Sequence, residues 1–247
     1  MPGRGTAARM MPVQRIEMTT RDMDVIADLM NDRYAEHRAR VRVDDTARVS
    51  AGVRTVTAGP LDTALVRLRG VHYQAEVSPP DAFVALVLLA GAGSMAFGQD
   101  QVSLIPGDVM LDGTDLHHTA DMHDSVVVLV RVPRPVAAEL AEEHTGLPAT
   151  DLRFESITPV SAAAGTQWAQ TSSFICRQLI TSGITEISPL VAHNMTRLAA
   201  ATLLEAFPNT TMSASYIPGP GQVAPSAVRR AAAFMDAHAG SLVTVAE

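Results

Sequence analysis

The chain has no lysine; all 19 of its basic side chains are arginine. That absence excludes Schiff-base chemistry on a lysine and the phosphate-binding lysine of a P-loop. Cysteine is almost absent too. Cys176 is the single one, so neither an intrachain disulfide nor a cysteine-based zinc site can form, which suits a reducing compartment. Aromatics make up only 4% of the 247 residues, so aliphatic packing must carry the core. The longest apolar run, Phe83 to Gly93, is too short to span a bilayer. No apolar stretch follows Met1-Pro2-Gly3-Arg4, so the N-terminus does not read as a signal peptide. A cytoplasmic protein with no membrane partner is expected.

What is present is ordinary for a folded protein: 47% hydrophobic and 18% charged residues, enough for a substantial core. The net charge of −7 is unevenly spread. Residues 1–70 hold 12 arginines against 9 acids, and residues 71–247 hold 7 against 17. The acidic balance argues against a nucleic-acid surface in the bulk of the chain, since phosphate binding needs a basic footprint.

Periodicity divides the chain. Residues 1–18 carry no pattern and are expected to be disordered. Met23, Ile26, Met30 and Tyr34 recur at helical spacing and predict a helix over 20–38, with Asp22 and Asp24 suited to its N-terminus. From about 49 to 132 the period becomes two: Val71, Tyr73, Ala75 and Val77 alternate with His72, Gln74 and Glu76. The run at 83–90 reads as a strand buried on both faces. Turn signals follow at Gly91-Ala92-Gly93, Gly98-Gln99-Asp100, Pro106-Gly107-Asp108, Gly113-Thr114-Asp115 and His123-Asp124. Many short strands with regular turns predict a sandwich or barrel. Helical spacing returns over 135–145, 161–182 and 187–207. Residues 208–224, with Pro218-Gly219-Pro220-Gly221, read as a linker. A closing helix over 226–239 precedes Thr244-Val245-Ala246-Glu247, a capping box that starts a further helix beyond the last residue.

This order of elements, Val228-Arg229-Arg230-Ala231 through His238 and the closing Thr244-Val245-Ala246-Glu247 resemble the AraC/XylS family of bacterial transcription regulators. Val102-Ser103-Leu104-Ile105-Pro106-Gly107-Asp108-Val109 is similar to a cupin turn. The resemblance implies an α+β fold: a small cupin-like antiparallel β-barrel, preceded by one helix and followed by a helical hairpin. Residues 19–207 would be the regulatory and dimerisation domain. Residues 225–247 would begin a helix-turn-helix DNA-binding domain that the sequence leaves incomplete. Promoter DNA would then be met by that missing part, not by this fragment. A homodimer and a small-molecule effector are the other partners implied.

Candidate residues follow from the strands and helices. Arg67, His72 and Tyr73 are read as effector-binding, Tyr73 facing inward with Val71 and Ala75. Arg67 and His72 have the alternative of covering a solvent face. In the stripe Met195, Leu198, Ala199, Thr202, Leu203 and Ala206, the residues Met195, Leu198 and Thr202 are read as dimerisation contacts, with small neighbours that permit close helix approach. Trp168 and Cys176 read as core.

The rival is a cupin enzyme. It would need imidazoles two apart on a strand, which point to one side and share a metal. No His-x-His is present: His117 and His118 are adjacent and face opposite ways, His123 falls in a turn, and His72 stands alone. Ser103 and Ser125 lack a nucleophile-elbow motif. No catalytic residue, metal site or cofactor is therefore expected, although a cupin enzyme or a stand-alone binding protein remains the alternative.

Overall fold

The structure, a computed structural model, describes residues 10–33, 37–97, 100–112, 117–146, 148–213 and 234. The elements run β1 (Met11–Pro12), β2 (Gln14–Thr20), α1 (Met23–Arg33), β3 (His37–Val43), β4 (Ser50–Ala58), β5 (Leu61–Arg69), β6 (Val71–Val77), β7 (Ala82–Phe97), β8 (Asp100–Leu104), β9 (Val109–Asp112) and β10 (His118–Pro133). After them come α2 (Arg134–Thr145), α3 (Ala162–Cys176), β11 (Glu186–Ile187) and α4 (Pro189–Ala206). Strands β2 to β10 form one antiparallel sheet of nine, with β1 and β11 paired separately.

Two 16-residue strands organise the sheet. The first half of β10 lies between β6 and β7, and its second half between β5 and β7. Strand β7 hands over in the same way, from β9 at Val84–Val87 to β8 at Gly93–Phe97. Period-two alternation explains how these strands serve two cores. Val84, Leu86 and Leu88 face the interior of the curled sheet with Val127 and Leu129. Phe83, Ala85 and Val87 face the other way with Val128 and Val130, onto a layer that includes Trp168, Ile175, Leu203 and Phe207. The run expected to be buried on both faces over 83–90 is so from Phe83 to Leu88, whereas Leu89 is half exposed.

The bend in the sheet has a local cause. Strand β10 bulges between His123 and Val126. Asp124 there has φ 43°, in the left-handed region that side-chain-bearing residues rarely adopt. Its carboxylate Oδ1 accepts a 2.5 Å hydrogen bond from the Gly70 amide. Opposite it, Gly91 has φ 85°, and a Cβ there would stand 2.4 Å from the Asp124 carbonyl oxygen. Gly70, at φ 66°, admits no Cβ either, because the Asp45 carbonyl would lie 2.6 Å away. One aspartate and two glycines therefore join the β5–β6 turn, the kink in β7 and the bulge in β10.

The helices cover the sheet. Strand β10 runs straight into α2, which ends on Gly146 at φ 74° with its amide on the Glu142 carbonyl. Ser161 caps α3 through its hydroxyl and the Ala164 amide, and α3 continues into a π-helical turn over Arg177–Thr181. Trp168 is buried and meets Phe207 edge-on at 6.4 Å. The Pro106-Gly107-Asp108 turn joins β8 to β9, with Asp108 Oδ2 accepting from the Ile105 amide at 2.9 Å.

Several expectations need correction. The predicted helix over 20–38 is shorter, because Arg38, Arg40 and Arg42 alternate with Ala39, Val41 and Val43 and join the sheet as β3 beside β6. Residues 10–18, expected to be disordered, include β1 and most of β2, which pairs with β4. The expected turn at His123-Asp124 is a bulge inside β10. Residues 208–213, expected to open the linker, are docked: Asn209 is buried and its side-chain amide donates to the carbonyls of Leu204 and Phe207. The rest of the linker and the helix-turn-helix start at 225–247 lie outside the described residues, save Phe234.

Gly91→Ala is expected to lower stability by roughly 2–4 kcal/mol through backbone collision and strain. Asp124→Ala should cost about 1–3 kcal/mol through the orphaned Gly70 amide. Asp124→Asn should cost clearly less, since asparagine tolerates the left-handed region and keeps an acceptor. Chemical denaturation of the three variants checks this order.

Candidate functional site

The inside of the curled sheet holds a cavity of about 130 Å³. An apolar cavity of that order accommodates a benzene-sized guest. Its walls are aliphatic: Val66, Leu86, Met95, Met122 and Leu129 are among them. Four polar side chains share it, Tyr73, Asp112, His118 and Ser125. Asp112 ends β9 and His118 opens β10. His118 Nε2 stands 3.7 Å from Asp112 Oδ2, and its ring stacks on Phe97 at 4.8 Å. The Ser125 hydroxyl is buried and has no hydrogen-bond partner among the described residues. Tyr73 reaches the cavity from β6, where burial pushes its phenol well above the usual range.

Burial also pushes the Asp112 carboxyl up, to about 7. Desolvation disfavours the charged form when no strong partner compensates. Near neutral pH this carboxyl is thus poised between a hydrogen-bond donor and an acceptor. A small, mostly apolar guest carrying one or two polar groups fits such a lining.

The outer face of the same strands carries a different set. His72, Asp121 and His123 point away from the cavity, on the opposite parity to Tyr73 and Met122. His72 Nε2 lies 2.7 Å and His123 Nε2 3.0 Å from Asp121 Oδ1. Partial burial opposes ionisation of Asp121, but hydrogen bonds from Gln74 and His72 and the proximity of the His123 ring hold its carboxyl below the usual range. A second outer groove lies between β2, β4 and β5, where Arg54, Arg67 and Arg69 flank Gly52.

Residues 26–204 match the AraC-binding-like domain family, from within α1 to within α4 and across the whole cavity. The chain belongs to that family. The crystal structure of the AraC-like transcriptional activator CuxR resembles this AraC-binding-like domain with a TM-score of 0.59 and 13% identity. That match covers 93% of this chain and 81% of the other and speaks for the fold. KdgF from a Halomonas species is 20% identical over 33% of this chain and 76% of its own, with a TM-score of 0.29. A variant of Bacillus subtilis oxalate decarboxylase is 13% identical over 52% of this chain and 30% of its own, with a TM-score of 0.27. Neither of these two overlaps carries an argument. The sequence matches no curated protein.

Within the AraC-binding-like domain the expected site residues separate. Tyr73 lines the cavity, whereas Arg67 lies in the β2–β4–β5 groove and His72 on the outer face of β6. They do not form one effector site. Met195 and Thr202 are buried in the chain's own helix–sheet core, and only Leu198 of that trio is exposed. His72 is not alone: its ring stacks on His123 at 3.8 Å. Cys176 is largely buried against Thr63, with Sγ 3.4 Å from the hydroxyl, and burial pushes its thiol up. It reads as a packing residue. Asp112, His118 and Ser125 went unrecognised as a group. The adjacent pair His117 and His118 held the signal, since one is exposed and the other buried.

The raised Asp112 pKa fixes a pH dependence. Between the ordinary carboxylate range and about 7 the folded state holds a proton that the unfolded state has released. Stability from this group therefore falls as pH rises through that window and is flat above it. Asp112→Asn removes the effect, so its thermal advantage over wild type should grow from about pH 5 to 7 and then level. Melting curves at half-unit pH intervals check this.

Proposed function

We propose that this chain is the effector-sensing and dimerising part of an AraC-type transcription regulator. The observation that carries the reading is the cavity inside the curled sheet, polar at one set of side chains and aliphatic elsewhere, in a domain of this family. A small amphiphilic effector would bind among Tyr73, Asp112, His118 and Ser125. Occupancy would shift the balance between two arrangements of the protein, by as much as the effector's affinity differs between them. Promoter DNA would be bound by a helix-turn-helix domain following this part, in the cytoplasm. The reading is non-catalytic: the chain binds and transmits, and no bond is made or broken.

Dimerisation would use the outer face of α4. Leu190, Val191 and Leu198 are 68%, 48% and 42% exposed. Val191 and Leu198 stand two helical turns apart and so share one side. Aliphatic side chains in such a row suit a self-complementary two-fold contact. This face replaces the buried Met195 and Thr202 as the surface a second copy would meet.

Two measurements test the proposal. Transcript levels in a deletion strain should change for a defined set of genes. Ala75→Leu, which fills the cavity from its β6 wall, should leave the protein folded but abolish effector response in the complemented strain. Unchanged transcripts on deletion would end the regulator reading. For the dimer, light scattering at micromolar concentration should give twice the chain mass. Leu198→Glu should halve that mass, and a wild-type monomer would reject the α4 interface.

A further inference from the structure

The outer-face cluster is built by the pairing of β6 and β10. Register sets His123 directly opposite His72. Asp121 precedes His123 by two residues and so shares its face. One ligating atom from each of the three lies within 4.8 Å of the others. The imidazoles are stacked at 3.8 Å, with 23° between their planes. His72 is buried, His123 is about half exposed and Asp121 about a third. The cluster is thus fixed on one side and open on the other.

We propose that His72, Asp121 and His123 bind a divalent metal ion of the borderline class, zinc(II) being the representative. Two imidazoles and one carboxylate suit that class, with a further position left to solvent. Tetrahedral ligand atoms about 2.1 Å from zinc stand about 3.4 Å apart. The present spacings of 2.7 and 3.0 Å from Asp121 to the two histidines therefore open by less than about 1 Å. The site is independent of the effector cavity, because it lies on the other face of the strands.

Arg42 supplies an internal competitor. Its Nη2 is 2.8 Å from His72 Nδ1. A guanidinium only donates, so Nδ1 carries the lone pair and Nε2 carries the hydrogen that His72 gives to Asp121. A metal on Nε2 needs the opposite tautomer, with the hydrogen on Nδ1. Metal binding and the Arg42–His72 hydrogen bond therefore exclude one another. Arg42 has somewhere to go: its side chain is 71% exposed and already lies 3.2 Å from Asp44. Arg40, which lines the same outer groove as Asp121, adds a second repulsive charge. Removing the Arg42 charge should consequently tighten the site, the opposite of what loss of a ligand does.

The test is calorimetric titration of the tag-free, metal-stripped full chain with zinc chloride, repeated with cobalt(II) for its visible absorption. One equivalent is expected to bind, with a tetrahedral cobalt spectrum. His123→Ala and Asp121→Ala should weaken binding more than about 100-fold, beyond the roughly 10–100-fold that changes to outer partners of the ligands usually cost. Arg42→Met should tighten it severalfold, while His117→Ala, His144→Ala and His193→Ala leave it unchanged. His72→Ala removes a buried side chain; should it unfold, the exposed His123 and Arg42 variants still decide. Absence of saturable one-to-one uptake, uptake unaffected by His123→Ala, or weaker uptake in Arg42→Met would each overturn the site.

Discussion

A single carboxylate holds the bend on which this domain depends. Asp124 occupies a left-handed backbone position and spends its side chain on the amide of Gly70. Gly91 answers it across the strand pair, with no room for a Cβ. Because of this junction, β10 changes partners from β6 to β5 while staying paired with β7 throughout. The sheet therefore curls around an interior instead of lying flat, as bulges and glycine kinks do in barrels generally. The interior cavity, the helix-side core and the outer histidine cluster all take their positions from that curl.

The bend also explains why the two polar groups of side chains stay apart. Residues of one parity on β6 and β10 enter the cavity, and those of the other parity form the outer cluster. Tyr73 is the sequence neighbour of His72, and Met122 lies between Asp121 and His123. Inside, Asp112 is poised near neutrality because nothing nearby fully compensates its burial. Outside, Asp121 is held ionised between two imidazoles. The same residue type is thus tuned in opposite directions on the two sides of one sheet.

Much of the architecture was legible from period alone. The strand buried on both faces, the α2–α4 region and the Pro106-Gly107-Asp108 turn follow from hydrophobic spacing and turn chemistry. The site was legible only in part. Tyr73 faced inward by parity, but Arg67 and His72 carry the opposite parity and belong to the outer face. The His72–His123 pair was hidden because His123-Asp124 looks like a turn, and only cross-strand register brings these residues together. Asp112 and His118 sit on different strands and meet through tertiary closure, which no local pattern encodes. Met195 and Thr202 were misread for a related reason. An amphipathic stripe shows which side of α4 is buried, not whether its own sheet or a second copy buries it.

The central claim is that the barrel interior receives a small amphiphilic molecule. Methyl-selective nuclear magnetic resonance of methionine tests it most directly, with phenol as a probe of suitable size. Met95 and Met122 line the cavity, whereas Met212 is exposed on the surface. The account predicts saturable shifts of the Met95 and Met122 methyl signals, with Met212 unmoved. Shifts confined to surface methionines, or none at Met95 and Met122 up to millimolar phenol, would contradict it.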